Sequence, residues 1–195
     1  MKEILDNIDF GRIVLFEKFI TSAQSITCFN ELRAIDWLDH KILMYGKWVS
    51  EPRGVSFFGD ENIEYTYSGK KIRAEKWNNL LLSLKNEINQ KTDSYYNSVL
   101  VNHYKDGEDY MGWHSDNEIE LGNDPHIASL SFGAPRDFIL RLKSDHTKKI
   151  KILLNSGDLL LMEDKIQKLW EHSLPKRKKI EEARINLTFR SILQT

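Results

Sequence analysis

Arg184-Ile185-Asn186-Leu187-Thr188-Phe189-Arg190 alternates polar and apolar residues without a break. Read as a strand, it sets Arg184, Asn186, Thr188 and Arg190 on one side and Ile185, Leu187 and Phe189 on the other, because successive side chains point to opposite faces. The apolar side requires a core. The polar side requires a different explanation, since two arginines facing an enclosed space need anionic partners. A dicarboxylate would supply them.

Strand-like segments recur upstream of this run. Residues 99–104, 127–132, 138–143, 150–154, 159–162 and 183–192 read as short strands, separated by turn formers such as Asp106-Gly107, Gly133-Ala134-Pro135 and Asn155-Ser156-Gly157-Asp158. Many short strands at close spacing predict a sandwich or jelly roll. Before Ser98 the pattern is helical. Asn30 is a good N-cap, with Leu32, Ile35 and Leu38 following at near-helical spacing. Trp77, Leu80, Leu81, Leu84 and Ile88 form a second, clearer apolar stripe. The expected class is α+β, mainly β, with the helices bracing the outside of the sheets.

A chain of 195 residues fits one domain and can bury a real core. The expected layout is a single domain over 1–195, with N-terminal helices and a recognition segment in 1–97 and a jelly-roll core in 98–195. No apolar run approaches the roughly 18 residues of a membrane span, and Glu3, Asp6 and Asp9 interrupt any secretory core near the N-terminus. An intracellular monomer is expected, cytoplasmic if bacterial and nuclear if eukaryotic. The single cysteine, Cys28, excludes an internal disulfide and a cysteine-based metal site, leaving histidine and carboxylate as ligands. The net charge of −1 hides an asymmetry: residues 141–190 hold 13 Lys/Arg against 7 Asp/Glu, which leaves −7 for the remainder. Lys176-Arg177-Lys178-Lys179 lies in that basic part and could contact phosphates. From composition alone it reads as a solvated loop.

Of the six histidines, only His114 is followed two positions later by an acidic residue, Asp116. His126 comes two residues after Asp124 in a loop-like context, and His40, His103 and His146 have no such neighbour. With His172, the pair completes a set of two imidazoles and one carboxylate. Such a set holds iron(II) on one face and leaves the opposite positions open, although zinc, manganese or cobalt fit the same donors.

Four motifs in one order carry a resemblance: Asn102-His103-Tyr104, His114-Ser115-Asp116, Trp170-Glu171-His172-Ser173-Leu174-Pro175, and the run from Arg184 to Arg190. Together they resemble the AlkB family of iron(II)- and 2-oxoglutarate-dependent dioxygenases. Gly46-Lys47-Trp48, Pro52-Arg53, Tyr65-Thr66-Tyr67-Ser68-Gly69 and Ala128-Ser129-Leu130-Ser131-Phe132-Gly133-Ala134 extend the likeness from about residue 45 to 192. The resemblance implies a double-stranded β-helix, a cupin-like jelly-roll barrel. It implies His114, Asp116 and His172 as the catalytic iron ligands, with Asn102, Tyr104, Arg184, Asn186, Thr188 and Arg190 around 2-oxoglutarate. Arg184 and Arg190 stand about 20 Å apart along an extended strand and cannot crowd one carboxylate. The resemblance gives the distal carboxylate to Arg184 and leaves Arg190 near the iron end. Iron(II), O2 and 2-oxoglutarate would then yield succinate, carbon dioxide and a hydroxylated N-methyl group that leaves as formaldehyde.

The implied substrate is an N-alkylated base, such as 1-methyladenine or 3-methylcytosine, in double-stranded DNA. Reaching its pairing edge requires a flipped nucleotide or a single strand. Tyr65, Tyr67 and Ser68 match the family's base pocket, although without the resemblance both tyrosines read as strand packing. Glu118 matches an exocyclic-amine reader, and a carboxylate accepts from the amino group of adenine or cytosine. Tyr45 matches a wedge that fills the gap left by the flipped base, and Arg177, Lys178 and Lys179 match a backbone grip. Asn117 departs from an acidic residue in a close member, and residues 144–149 look shorter than that member's opposite-strand loop. An RNA demethylase or another 2-oxoglutarate oxygenase is the alternative within this chemistry. A non-catalytic nucleic-acid-binding jelly roll is the reading from another class; it has no need of the ligands and both arginines together.

Overall fold

The computed structural model describes the chain apart from residues 8, 38–40, 45–46, 51–52, 68–69 and 194–195, and describes 41–44, 47–50, 67 and 70 by their backbone only. The first half contains β1 (Lys2–Asn7), β2 (Gly11–Phe16), α1 (Ser22–Leu32), β3 (Lys41–Met44), β4 (Lys47–Ser50), β5 (Gly54–Gly59), β6 (Glu64–Tyr67), β7 (Lys70–Arg73), β8 (Glu75–Lys76) and α2 (Asn79–Thr92). The second half contains β9 (Ser98–Tyr104), β10 (Met111–His114), β11 (Ile127–Gly133), β12 (Arg136–Leu142), β13 (Asp145–Leu154), β14 (Leu159–Glu163), α3 (Ile166–Leu169), β15 (Trp170–Leu174) and β16 (Arg184–Arg190).

Two sheets make the body of the fold. The larger has the order β1-β2-β14-β11-β16-β9-β5-β8, and the smaller β10-β15-β12-β13. β3–β4 and β6–β7 form separate two-stranded sheets. The mainly β jelly-roll architecture expected from the strand spacing is therefore present. Residues 1–97 contribute more than helices, because β1, β2, β5 and β8 join the large sheet.

β16 sits between β9 and β11, antiparallel to both. All seven of its residues are buried, because it is covered on both faces. Ile185, Leu187 and Phe189 pack into a cluster with Cys28 and Leu32 of α1 and Leu81, Leu84 and Ile88 of α2. A second cluster, including Leu100, Phe138, Leu140, Ile152 and Met162, fills space between the two sheets. Arg184, Asn186, Thr188 and Arg190 line a cavity on that inner side. The two-faced reading of the strand is thus realised in its packing.

Helix α1 begins earlier than its apolar spacing suggests. Thr21 caps it, with a reciprocal Thr21–Gln24 capping box, and this satisfies donors that a helix start leaves unpaired. Asn30 falls in the last turn instead of at the N-cap, and the helix ends at Leu32, so Ile35 lies beyond it; Leu38 is outside the described residues. Asn78 caps α2 by accepting from the Leu81 N–H at 2.8 Å. Trp77 precedes that helix, and its indole N–H donates to Asp60 at 2.7 Å. Among the described residues, no helix is long and apolar enough to cross a membrane.

Candidate active site

His114 ends β10, and His172 lies directly opposite it on β15. Pairing these strands brings the two imidazoles to a ring-centroid separation of 4.3 Å. Asp116 follows two residues after the strand, and one ligand atom from each of the three lies within 4.8 Å of the others. With its proton on Nδ1, His114 donates to the Gly112 carbonyl 2.9 Å away, leaving Nε2 as the ligand atom. His172 is buried and its Nδ1 has no hydrogen-bond partner. These donors, two imidazoles and a carboxylate on one wall of a cavity, fit a divalent transition metal with open positions.

Charge in this cluster is set by burial and by Arg190. Burial alone would raise the Asp116 carboxyl, but Arg190, His172 and His114 outweigh it and lower it to about 2. Arg190 donates to Asp116 Oδ1 at 3.0 Å, and only about 5% of either side chain is exposed. Burial and the neighbouring His114 lower His172 to about 3. The imidazole is therefore neutral and ready to ligate at neutral pH.

The metal-free protein is expected to lose stability on acidification. His172 takes up its proton near 6.5 when unfolded and near 3 when folded, so the unfolded state binds the extra proton between those values and stability falls as pH drops through the window. Asp116, at 3.8 unfolded and about 2 folded, adds a loss in the lower part of that range. Denaturation midpoints measured from pH 7 to 4 should decline, and His172→Gln should flatten the decline. An unchanged slope in that variant would rule out His172 as its source.

The cavity has a volume of about 260 Å3 and is lined by His114, Asp116 and His172 together with Asn102, Tyr104, Arg184, Asn186, Thr188 and Arg190. Arg184 lies at its other end and is 2% exposed. Its Nη2 donates to Ser131 Oγ at 2.9 Å and Asn186 Oδ1 at 2.7 Å, its Nε has no partner, and no acidic side chain pairs with it among the described residues. Burial lowers it to about 10. A buried cation without an anion fits a site for a carboxylate. Asn186 is engaged in orienting Arg184, since its Oδ1 also accepts from Ser129 and Ser131 and its Nδ2 donates to Thr188.

The expected base-side residues have unequal standing. Tyr65 and Glu118 line the same cavity. Tyr65 is fully buried, tilted against Phe57 at 5.7 Å and under the Arg190 guanidinium at 5.5 Å; burial pushes its phenol up strongly. Glu118 Oε2 is buried without a hydrogen-bond partner. Tyr67 belongs to β6, but its side chain, together with Tyr45 and Ser68, lies outside the described residues. Arg177 is committed to Asp137 through bonds of 2.8 and 2.6 Å. Lys178 is exposed 3.6 Å from Glu108, and Lys179 is exposed. Residues 144–149 lie largely in β13, which pairs back on β12 from Leu142↔Asp145.

Arg53 and the serines of the 128–134 segment belong to quoted motifs but carry no role there, and Arg136, beside the site, belongs to none. Arg53 donates to Asn102 Oδ1 at 2.9 Å, and Arg136 donates to the backbone carbonyls of Asp106, Asp109 and Pro175 at 2.9–3.0 Å. Within the 128–134 segment the alternation Ser129-Leu130-Ser131 sets both serines on the face that meets Asn186. No pattern marks Arg136, because its partners are backbone groups distant in sequence.

The model of the 2OG-Fe(II) oxygenase superfamily matches residues 12–190. The mouse protein named DNA oxidative demethylase ALKBH2 is 41% identical over 162 residues, covering 80% of this chain and 68% of its own length. Its human counterpart is 37% identical over 201 residues, covering 97% and 76%. Human alpha-ketoglutarate-dependent dioxygenase alkB homolog 3 is 36% identical over 192 residues, covering 93% and 66%. A solved structure described as "The structure of OsALKBH1" superposes with a TM-score of 0.67 at 18% identity, covering 95% of this chain and all of that one, a likeness of fold.

Proposed function

We propose, from the premise that this chain belongs to the 2OG-Fe(II) oxygenase superfamily, that it removes alkyl groups oxidatively from N-alkylated bases in DNA. It is an iron(II)- and 2-oxoglutarate-dependent dioxygenase. The observation that carries the reading is one cavity lined both by the His114–Asp116–His172 cluster and by Arg184, a buried cation that no acidic side chain pairs among the described residues. The DNA substrate is supported by relatives named DNA oxidative demethylase at 37–41% identity. It is also supported by the Glu118 carboxylate, which lines the cavity beside the Tyr65 phenol.

In this reading His114, Asp116 and His172 hold the metal, and Arg184 binds the distal carboxylate of 2-oxoglutarate. Asn102, Tyr104, Asn186 and Thr188 shape the space between. When bound, iron with 2-oxoglutarate and O2 would supply the oxidation that hydroxylates an N-methyl carbon, whose loss from the base releases formaldehyde. Arg190 keeps Asp116 ionised and aimed at the metal. Glu118 accepts from the exocyclic amine of adenine or cytosine, which turns the N-alkyl edge inward. Tyr65 closes the wall beside Arg190 and excludes water.

We further propose a monomer acting on duplex DNA, with Tyr45 filling the gap left by the flipped base and Lys178 and Lys179 meeting the backbone. A second reading, action on RNA or a single strand, draws on Arg177, whose ion pair with Asp137 leaves only part of the basic run for a duplex. The test is succinate and formaldehyde release on methylated and unmethylated oligonucleotides. Methylation-dependent release from DNA is expected; release from methylated RNA alone would overturn the DNA assignment. Charge reversal at Lys178 and Lys179 should weaken duplex binding and lower the salt slope by about 2, roughly one per lost phosphate contact. An unchanged slope would remove both lysines from the interface.

A further inference from the structure

We infer that Gln167, assisted by Lys143, is a positioning residue that holds the turn carrying Asp116 and thereby sets the affinity of the site for its metal. The inference rests on the reading of His114, Asp116 and His172 as ligands. His114 and His172 are held by the pairing of β10 with β15. Asp116 has no such support, because β10 ends at His114 and the chain then leaves the sheet. Its position depends on two contacts. Arg190 holds the carboxylate at 3.0 Å, and Gln167 Oε1 accepts the Asp116 backbone N–H at 3.0 Å.

Gln167 is suited to hold a fixed point. It is fully buried, and its Nε2 faces the Met162 sulfur at 3.6 Å. That weak acceptor takes the amide N–H and leaves the oxygen for Asp116. Lys143 ties the same turn from the outside: Nζ donates to Ser115 Oγ and to the Gln167 carbonyl, each at 2.9 Å. The Lys143 backbone N–H donates to the Leu169 carbonyl at 2.9 Å. Residues 115 and 116 are thus joined to α3, and α3 runs directly into β15, which carries His172. The clamp connects the two chain segments that hold all three ligands. Without the acceptor, a buried N–H is left unpaired, and the turn must rotate to satisfy it. That rotation carries the carboxylate with it.

The test is cobalt(II) titration of the metal-free full chain, followed by absorption, without 2-oxoglutarate or nucleic acid. Gln167→Leu, which removes the acceptor, should raise the cobalt Kd by about 10-fold or more, the range typical of outer-shell partners. Gln167→Glu retains an acceptor of the same reach and should stay within about threefold of wild type, because the hydrogen bond is preserved. Lys143→Met should raise Kd in the same direction by less than Gln167→Leu. Thermal melting of each metal-free variant reports folding. A folded Gln167→Leu with wild-type Kd overturns the inference, as does equal weakening by Gln167→Glu and Gln167→Leu, which would assign the effect to packing. Should Gln167→Leu not fold, the inference stands on Lys143→Met and falls if that variant binds like wild type. Failure of wild type itself to bind cobalt would instead overturn the ligand reading, and no outcome depends on the nucleic-acid substrate.

Discussion

Asp116→Ala is expected to reduce formaldehyde release from methylated DNA by more than about a hundredfold, beyond the ~10- to 100-fold that follows loss of an outer-shell partner. The carboxylate is the only anion among the three clustered side chains, so its removal leaves two imidazoles to retain a divalent ion. The same substitution has a second effect. Arg190, 4% exposed, loses the oxygen that faces it at 3.0 Å. Breaking a buried ion pair from one side costs about 3–5 kcal/mol, because the remaining charge is uncompensated. Asp116→Asn separates the two effects: it keeps an acceptor for Arg190 but offers the metal no charge. Urea denaturation should rank wild type, Asp116→Asn and Asp116→Ala in decreasing stability, with both variants inactive. Formaldehyde release near the wild-type rate from Asp116→Ala supplied with iron would refute the ligand assignment.

Arg184→Met is expected to raise the KM for 2-oxoglutarate by roughly 30- to 1,000-fold, the equivalent of about 2–4 kcal/mol for truncating one side of a buried, hydrogen-bonded charge pair. The folded protein without co-substrate should respond differently. Arg184 is buried without an acidic partner among the described residues, and burial lowers it to about 10; its charge is therefore a burden until an anion arrives. Arg184→Met fills the space without the charge and should melt no lower than wild type. Wild type should gain more from added 2-oxoglutarate than the variant does. Equal stabilisation of both by the co-substrate would take Arg184 out of the carboxylate site.

What could be read from the sequence tracks how each element is buried. β9, β11, β14 and β16 are covered on both faces, and their runs of apolar or strictly alternating residues stand out. β10 and β15, which carry His114 and His172, have four and five residues and pair with an irregular register. No periodic pattern survives at that length, so the ligands were found by motif order and not by strand assignment. Apolar spacing places the start of α1 too late because it marks the face of a helix and not its end. The Thr21–Gln24 box that sets the end is polar. The large sheet's N-terminal strands had the signal in Ile13-Val14-Leu15, yet only the fold shows that they pair with β14. Around the cavity, Arg184 and Arg190 were legible because they share a strand with apolar residues. Gln167 and Arg136 were not, because each works through backbone groups 27 to 51 residues away.

The central position of β16 ties folding accuracy to activity. A one-residue slip in its pairing with β9 and β11 would turn Arg184, Asn186, Thr188 and Arg190 toward the helices and send Ile185, Leu187 and Phe189 into the cavity, since the side-chain period is two. Such a register isomer would bury two guanidinium groups in hydrocarbon and could not persist. A large sheet closed with this strand one residue out of step is therefore disfavoured by the burial of its own arginines. The same alternation that closes the large sheet thus also selects which face of β16 becomes the polar wall of the cavity.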